Sequence, residues 1–268
     1  MSQSPPLIRN RAKERLEAGE MVLCLGTRLA RTVDIGMVAD ACGFDAFYVD
    51  MEHSAAALET AAAMCAAALT VGITPLVRTP GHQPHTASRL LDTGALGIIY
   101  PHVNTKREAE AFVSACKFPP VGHRSVGGSG PAQLYRALPL ADVNRQGNAV
   151  TLCIAMLETP EGIENADAIA SVEGLDVLLI GSNDLSAELG VPGDLRHPKI
   201  RAAYEAAANA CKRHGKHLGI GGVRGDPDLT RELVGLGGRF MITGFDIGYL
   251  MAAARADAAQ IRKIAATR

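Results

Sequence analysis

The sequence predicts an α/β chain closed into a single (β/α)8 barrel spanning residues 1–268, with a long C-terminal helix. Three observations carry that expectation. Short apolar, β-branched runs alternate with longer stretches of helical apolar spacing, and the alternation repeats eight times. The chain is also large enough, at 268 residues with 47% hydrophobic content, to bury most of its apolar surface around one core. Strict alternation means parallel strands joined by crossover helices, and eight repeats favour closure over an open sheet. The dinucleotide-binding form of that rival lacks support, because no Gly-x-Gly-x-x-Gly follows the first strand.

The opening MSQSPPLIRNRAKERLEAGE is polar and charged where a secretory signal needs an apolar stretch. The first strand is read at residues 21–25, followed by the helical TVDIGMVADAC. The second, 46–50, leads into SAAALETAAAMCAAALTVG, and the third, 74–78, into PHTASRLLDTG. The fourth, 97–101, is followed by TKREAEAFVSACKF and by the glycine-rich loop HRSVGGSGPAQLYR. With Arg124 and Tyr135, that loop is read as a cover for the barrel mouth or a reach toward a neighbouring subunit. Strands five to eight are read at 151–158, 177–181, 217–221 and 239–243, with HPKIRAAYEAAANACKRHG as the helix between the sixth and seventh. Several helices end in the glycine expected just beyond a helix. The last segment, FDIGYLMAAARADAAQIRKIAATR, reads as one long amphipathic helix whose apolar face holds Ile247, Leu250, Met251, Ala254 and Ile261. It either closes its own barrel or packs on a neighbour.

Composition narrows the function. Lys+Arg number 27 against 28 Asp+Glu, for a net charge of -1, and the basic residues are scattered, which argues against a nucleic-acid backbone as partner. No apolar run reaches the length of a membrane span, so the expectation is a cytoplasmic protein without a membrane partner. The cysteines at 24, 42, 65, 116, 153 and 211 lack CxxC spacing and read as reduced core residues.

In a parallel barrel the chemistry sits at the carboxyl ends of the strands. Those ends carry Asp50, Glu52 and His53; Arg78; Tyr100, Pro101 and His102; Glu158; and Asn183 with Asp184, while strands seven and eight end in glycines. Any of these has a purely structural use. Asp50 or Asp184 can cap a helix, Glu52 can favour a helix dipole, and Arg78 can pair with a nearby carboxylate. Their coincidence at one rim is what points to a reaction. Glu158 and Asp184 from adjacent strands are hard oxygen ligands with no cysteine or histidine at the same ends, a set suited to Mg²⁺ or Mn²⁺, with Co²⁺ compatible. An open metal site of this kind accepts a chelating 2-oxo acid and acidifies the C–H beside its ketone. Arg78 then faces the developing enolate charge, and His53, helped by a carboxylate, carries the proton. The lysines at 13, 106, 117, 199, 212, 216 and 263 all lie away from the strand ends, which argues against a Schiff-base amine.

The motifs DMEH, VRTP, LLDTG, YPHV, PPVGHRSVG, LETPEGIENADAI, GLDVLLIG, GSNDLS and HPKI, in that order along nearly the whole chain, resemble those of the HpcH/HpaI aldolase family. The resemblance implies a TIM barrel and a class II, metal-dependent pyruvate aldolase of the 4-hydroxy-2-oxoheptanedioate type, cleaving 4-hydroxy-2-oxo acids to pyruvate and an aldehyde. It implies a homohexamer built as a trimer of dimers that exchange the C-terminal helix. It also implies Glu158 and Asp184 as metal ligands, Arg78 as substrate-binding arginine, His53 as catalytic histidine and Asp50 and Asp92 as supporting aspartates. Backbone amides near Ser182 and Asn183 are implied to hold the oxo acid's carboxylate. The chain departs from the family pattern where Met156 stands for a frequent Gln, and where DMEH stands for Asp-Gly-Glu-His, which opens the donor to hydroxypyruvate as well as pyruvate. Two other readings stay open: a related oxaloacetate decarboxylase or acyl-CoA lyase, and a non-catalytic barrel.

Overall fold

A computed structural model describes residues 9–266. Eight parallel strands, β1 (Val22–Thr27), β2 (Ala46–Asp50), β3 (Thr74–Arg78), β4 (Gly97–Tyr100), β5 (Leu152–Leu157), β6 (Val177–Gly181), β7 (His217–Gly221) and β8 (Gly238–Phe245), pair in sequence order, and β8 closes on β1. The helices are α1 (Arg11–Glu17), α2 (Ile35–Ala41), α3 (Leu58–Ala68), α4 (Pro84–Asp92), α5 (Lys106–Cys116) and α6 (Leu140–Val150). They continue as α7 (Pro160–Glu164), α8 (Ala166–Ala170), α9 (Ser182–Glu188), α10 (Pro198–His214), α11 (Pro227–Gly235) and α12 (Asp246–Ala266). The expected closed (β/α)8 architecture is present. The first eight residues of the polar N-terminal stretch, and the last two of the C-terminal segment, lie outside the described residues.

Alternation along the strands divides the apolar residues into two cores. Val22, Cys24, Tyr48, Leu76, Ile154, Met156, Leu179 and Phe240 fill the barrel, whereas Phe47, Val49, Val77, Ile98, Cys153 and Ile180 face the helices. Two strand boundaries differ from the sequence reading in a way that matters. β1 continues past Leu25 to Thr27, and β8 past Thr243 to Phe245, each through a glycine that sequence propensity counts against a strand. Their pairing, Gly26 with Phe245, closes the barrel at its mouth.

The amino-terminal rim carries charge too, and several of its charged groups bind backbone. Ala12 and Leu16 of α1 plug the barrel floor, and Asp45 and Asp176 accept the backbone N–H groups of Leu23 and Cys153 at 2.9 and 2.7 Å. Buried Lys117 donates to the carbonyls of Asn148 and Thr151. The glycine-rich loop lies on this side as well. It follows α5, so it returns toward the strand starts, where Arg124 pairs with Asp92 at 2.6 Å and stacks on Phe118; the loop therefore does not cover its own chain's mouth. Five cysteines are buried and all six are free, but Cys42, at the end of α2, is exposed rather than a core residue.

α12 does not close its own barrel either. None of its residues is buried, and Leu250, Ile261 and Ile264 are 57%, 64% and 60% exposed.

Asn10 ties the floor together. Its amide donates to the carbonyls of Leu96 and Val150 at 3.0 and 2.7 Å, and its oxygen accepts from the Lys13 N–H and the Thr74 hydroxyl. Asn10→Ala removes a helix cap and leaves buried polar groups unmatched, and is expected to cost about 2–3 kcal/mol. Urea denaturation reads this as a lower midpoint at unchanged slope.

Candidate active site

Inward-pointing positions at the strand ends become the floor of the mouth. Asp50 follows Tyr48 by two residues, Arg78 follows Leu76 and Glu158 follows Met156, so the same parity that fills the barrel aims these groups into it. Asp50 and Arg78 are also register partners across β2 and β3. Asp50 is fully buried and accepts Arg78 Nε on Oδ1 at 3.0 Å and Arg78 Nη2 on Oδ2 at 2.6 Å. The backbone N–H groups of Glu52 and His53 add two more bonds to Oδ1 at 3.2 and 3.1 Å. Burial pushes the Asp50 carboxyl up, but the hydrogen bonds and charge of Arg78, with Arg28 behind them, hold it below the usual carboxylate range. Asp50 is thus an anchor for the arginine and for the turn carrying His53. It does not touch the His53 ring, whose nearest carboxylate oxygen is Glu52 Oε2 at 3.8 Å.

A second arginine shares that anchor. Arg28, at the end of the extended β1, donates through Nε to Asp50 Oδ2 at 2.6 Å, and its guanidinium lies 3.9 Å from the centroid of Phe245. Phe245 in turn meets Tyr48 edge-on at 6.0 Å. Glycine is required at 26, because a Cβ there would stand 2.7 Å from the Phe245 ring and 3.0 Å from Tyr48. Asp246 fixes the loop behind Arg28 by accepting the backbone N–H groups of Arg28, Leu29 and Ala30.

On the other side of the mouth stand Glu158 and Asp184. Glu158 is 1% exposed, and its Oε1 accepts the His102 backbone N–H at 2.9 Å. The His102 ring bridges two carboxylates, with Nδ1 3.4 Å from Glu158 Oε1 and Nε2 3.4 Å from Glu52 Oε1, and its backbone adopts a left-handed φ of 51° to do so. Gly181 lets the Glu158 side chain lie against β6, since a Cβ there would be 2.5 Å from Oε2. Burial pushes the Glu158 carboxyl up to about 7, with Asp184 and Glu52 adding to the rise against the lowering effect of His102. Asp184 is exposed in the first turn of α9.

Arg28, His53, Arg78, Met156, Glu158 and Asp184 all line one cavity of about 100 Å³. Glu52 Oε2 completes the charge pattern: it sits 2.9 Å from Arg78 Nη1 as an ion pair, yet outside hydrogen-bond geometry. Four carboxylates therefore face two guanidiniums around this mouth. Among the described residues no group of three or more His, Cys, Asp or Glu is arranged to hold a metal unaided. The donor chemistry nevertheless fits a hard divalent cation: Glu158 is buried among like charges, Asp184 is open to solvent, and both offer oxygen only, which leaves positions for water and substrate.

The remaining sequence-predicted residues fall as follows. Ser182 and Asn183 line the cavity, but the Ser182 hydroxyl is committed to Tyr204 at 2.8 Å, leaving its backbone for a ligand. The Met156 thioether lies 3.8 Å from Arg78 Nη1, a soft contact where an amide would give a hydrogen bond. Asp92 is not brought to this mouth within the chain. It ends α4 on the amino-terminal rim, beside Ala95, Leu96 and Thr151, paired with Arg124. His102 is at a strand end in the sequence but has no role there, and Arg28 and Phe245 are not singled out by the strand-end rule. The signal for Arg28 is parity: it stands two residues beyond Gly26 and four beyond the inward Cys24.

The chain is similar to known proteins along most of its length. The family model for HpcH/HpaI aldolase/citrate lyase matches residues 32–253. The 4-hydroxy-4-methyl-2-oxoglutarate aldolase tasA of Hapsidospora irregularis is 39% identical over 93% of this chain and 94% of its own length. The 5-keto-4-deoxy-D-glucarate aldolase of Shigella boydii is 31% identical over 97% of this chain and its full length. The crystal structure of an HpcH/HpaI aldolase from Desulfitobacterium hafniense superposes with a TM-score of 0.88 at 29% identity, covering 93% of this chain and 96% of that one.

Asp50→Ala strands the buried Arg78 charge, and is expected to cost roughly 3–5 kcal/mol in a urea denaturation series. A loss below about 1 kcal/mol would mean that the guanidinium finds another partner and that Asp50 does not anchor the site.

Proposed function

The chain belongs to the HpcH/HpaI aldolase/citrate lyase family and is a carbon–carbon lyase; from that premise we propose that it reversibly cleaves 4-hydroxy-2-oxo acids to pyruvate or hydroxypyruvate and a carbonyl partner. The observation that carries this reading is the pair Glu158 and Asp184 facing Arg78 across one small cavity. Two of the similar aldolases are named for dicarboxylic oxo acids, a 2-oxoglutarate and a glucarate derivative, and substrates of that class fall within the proposal.

Glu158 and Asp184 would hold the divalent cation, Mg²⁺ or Mn²⁺ with Co²⁺ compatible, and when bound it supplies Lewis acidity to the ketone. The chain's own residues do the rest. Arg78, held rigid by Asp50, places positive charge where the C2 oxygen turns negative, and because it is already oriented it needs no rearrangement as that charge develops. His53, exposed at the mouth beside Glu52, takes the proton from the 4-hydroxyl as the C3–C4 bond breaks and returns one to C3. The backbone N–H groups of Ser182 and Asn183 receive the oxo acid's carboxylate. The scheme uses no Schiff-base lysine.

We further infer a cytoplasmic homo-oligomer, a hexamer arranged as a trimer of dimers. No helix among the described residues is long and apolar enough to cross a membrane. The first turns of α12 are tied to the barrel through Asp246 and Tyr249, but the helix leaves Leu250, Ile261 and Ile264 exposed, which is the surface a second copy would bury.

Glu158→Gln and Asp184→Asn are each expected to weaken Mn²⁺ binding at least about tenfold by calorimetric titration and to abolish release of pyruvate from a 4-hydroxy-2-oxo acid. Wild-type metal affinity in both variants refutes the ligand assignment. Arg78→Ala is expected to lower kcat by about 10²-fold or more, whereas a rise in KM alone makes it a binding residue. Leu250→Asp combined with Ile261→Asp is expected to reduce the assembly mass in light scattering; an unchanged mass removes α12 from the interface.

A further inference from the structure

Arg78 already meets both Asp50 oxygens in a bidentate pair. Arg28 adds a third donor through Nε only. Its two terminal nitrogens have no hydrogen-bond partner among the described residues, and its side chain is one-third exposed and lines the cavity. The fork is nonetheless fixed. Nε is tied to Asp50, the guanidinium plane rests over Phe245, and the backbone behind it is held by Asp246. A guanidinium whose stem is braced on two sides while its free edge faces a ligand cavity has the features of an anion receptor, because little side-chain entropy remains to be lost on binding.

We propose that Arg28 is a specificity-determining residue that takes the second carboxylate of a dicarboxylic 2-oxo acid. This rests on the reading of the mouth as a 2-oxo-acid site. In that reading Arg78, Glu158, Asp184 and the amides at Ser182 and Asn183 serve the oxo-acid end common to every substrate. Arg28 is the remaining cation lining the cavity with donors uncommitted, and it stands at the β1–β8 side, across from the carboxylate pair. A distal carboxylate meets it in the planar two-point geometry that a guanidinium provides and an ammonium does not. A substrate ending in a methyl group would instead leave the fork unpaired, so the residue discriminates by what it gains from one class. The Phe245 ring, admitted by Gly26, is the positioning element.

Calorimetric titration of the full-length, Mn²⁺-loaded protein with 2-oxoglutarate and with 2-oxopentanoate tests this without requiring turnover. The two acids have the same carbon count, and only one carries the distal carboxylate. The wild type is expected to bind 2-oxoglutarate about tenfold or more tightly than 2-oxopentanoate. Arg28→Gln is expected to bring the ratio to within about threefold, and Arg28→Lys to keep an intermediate preference. Phe245→Leu, which leaves the arginine in place but removes its platform, lowers the same ratio and serves if the Arg28 variants do not fold. No preference in the wild type, or equal weakening of both acids by Arg28→Gln, overturns the proposal and leaves Arg28 a brace for Asp50. A 2-oxoglutarate preference that depends on Arg28, in a protein that releases no pyruvate from any hydroxy-oxo acid, sinks the aldolase reading and leaves this assignment standing.

Discussion

One buried carboxylate, Asp50, organises the mouth. It ends β2 opposite Arg78 on β3, accepts both of that arginine's coplanar donors, accepts Arg28 from β1, and closes the turn into His53 through two backbone N–H groups. Three neighbouring strands and the next loop are therefore referred to a single pair of oxygen atoms. A charge taken fully out of water is tolerated only with such partners, and the same bonds that compensate its burial fix the direction of two guanidiniums.

The opposite wall works by contrast. Glu158 is almost as deeply buried as Asp50, but its nearest neighbours are a histidine and further carboxylates rather than an arginine, so burial pushes its carboxyl up while that of Asp50 is held down. The two walls of one cavity thus have opposite demands: one is internally neutralised, and on the other His102 is the group set between the carboxylates of Glu158 and Glu52. That division of labour suits a site which keeps a guanidinium ready for negative charge on a substrate and reserves its carboxylates for a divalent ion.

Much of this is legible in the sequence because strand parity is a strict rule. Once FYVDMEH is a strand, Tyr48 and Asp50 share a face, and the same holds for Leu76 with Arg78 and Met156 with Glu158. What sequence hides is long-range and steric. Gly26 and Gly244 read as strand breakers, yet both lie inside strands. At Gly26 the space a side chain would fill is taken by Phe245, 219 positions away by the numbering of that pair, and only the closed barrel brings them together. Arg28 and Phe245 are invisible to the strand-end rule for that reason. That Asp50 anchors both arginines is hidden as well, because a hydrogen-bond census depends on side-chain directions that spacing does not fix. Asp92 shows the converse limit: the LLDTG motif is plain in the sequence, but its own chain sets it on the far rim with Arg124. The glycine-rich loop goes to the same rim because a connection that follows a helix must return to the strand starts.

In the proposed reaction this mouth draws a proton from carbon beside a ketone. Deuterium incorporation at C3 of pyruvate and of hydroxypyruvate, followed by NMR in D₂O with Mg²⁺ or Mn²⁺ and again after EDTA, tests it without reference to any aldehyde. Exchange at C3 is expected to require the metal and to vanish with chelation. Absence of exchange with both acids in the metal-loaded protein would contradict it.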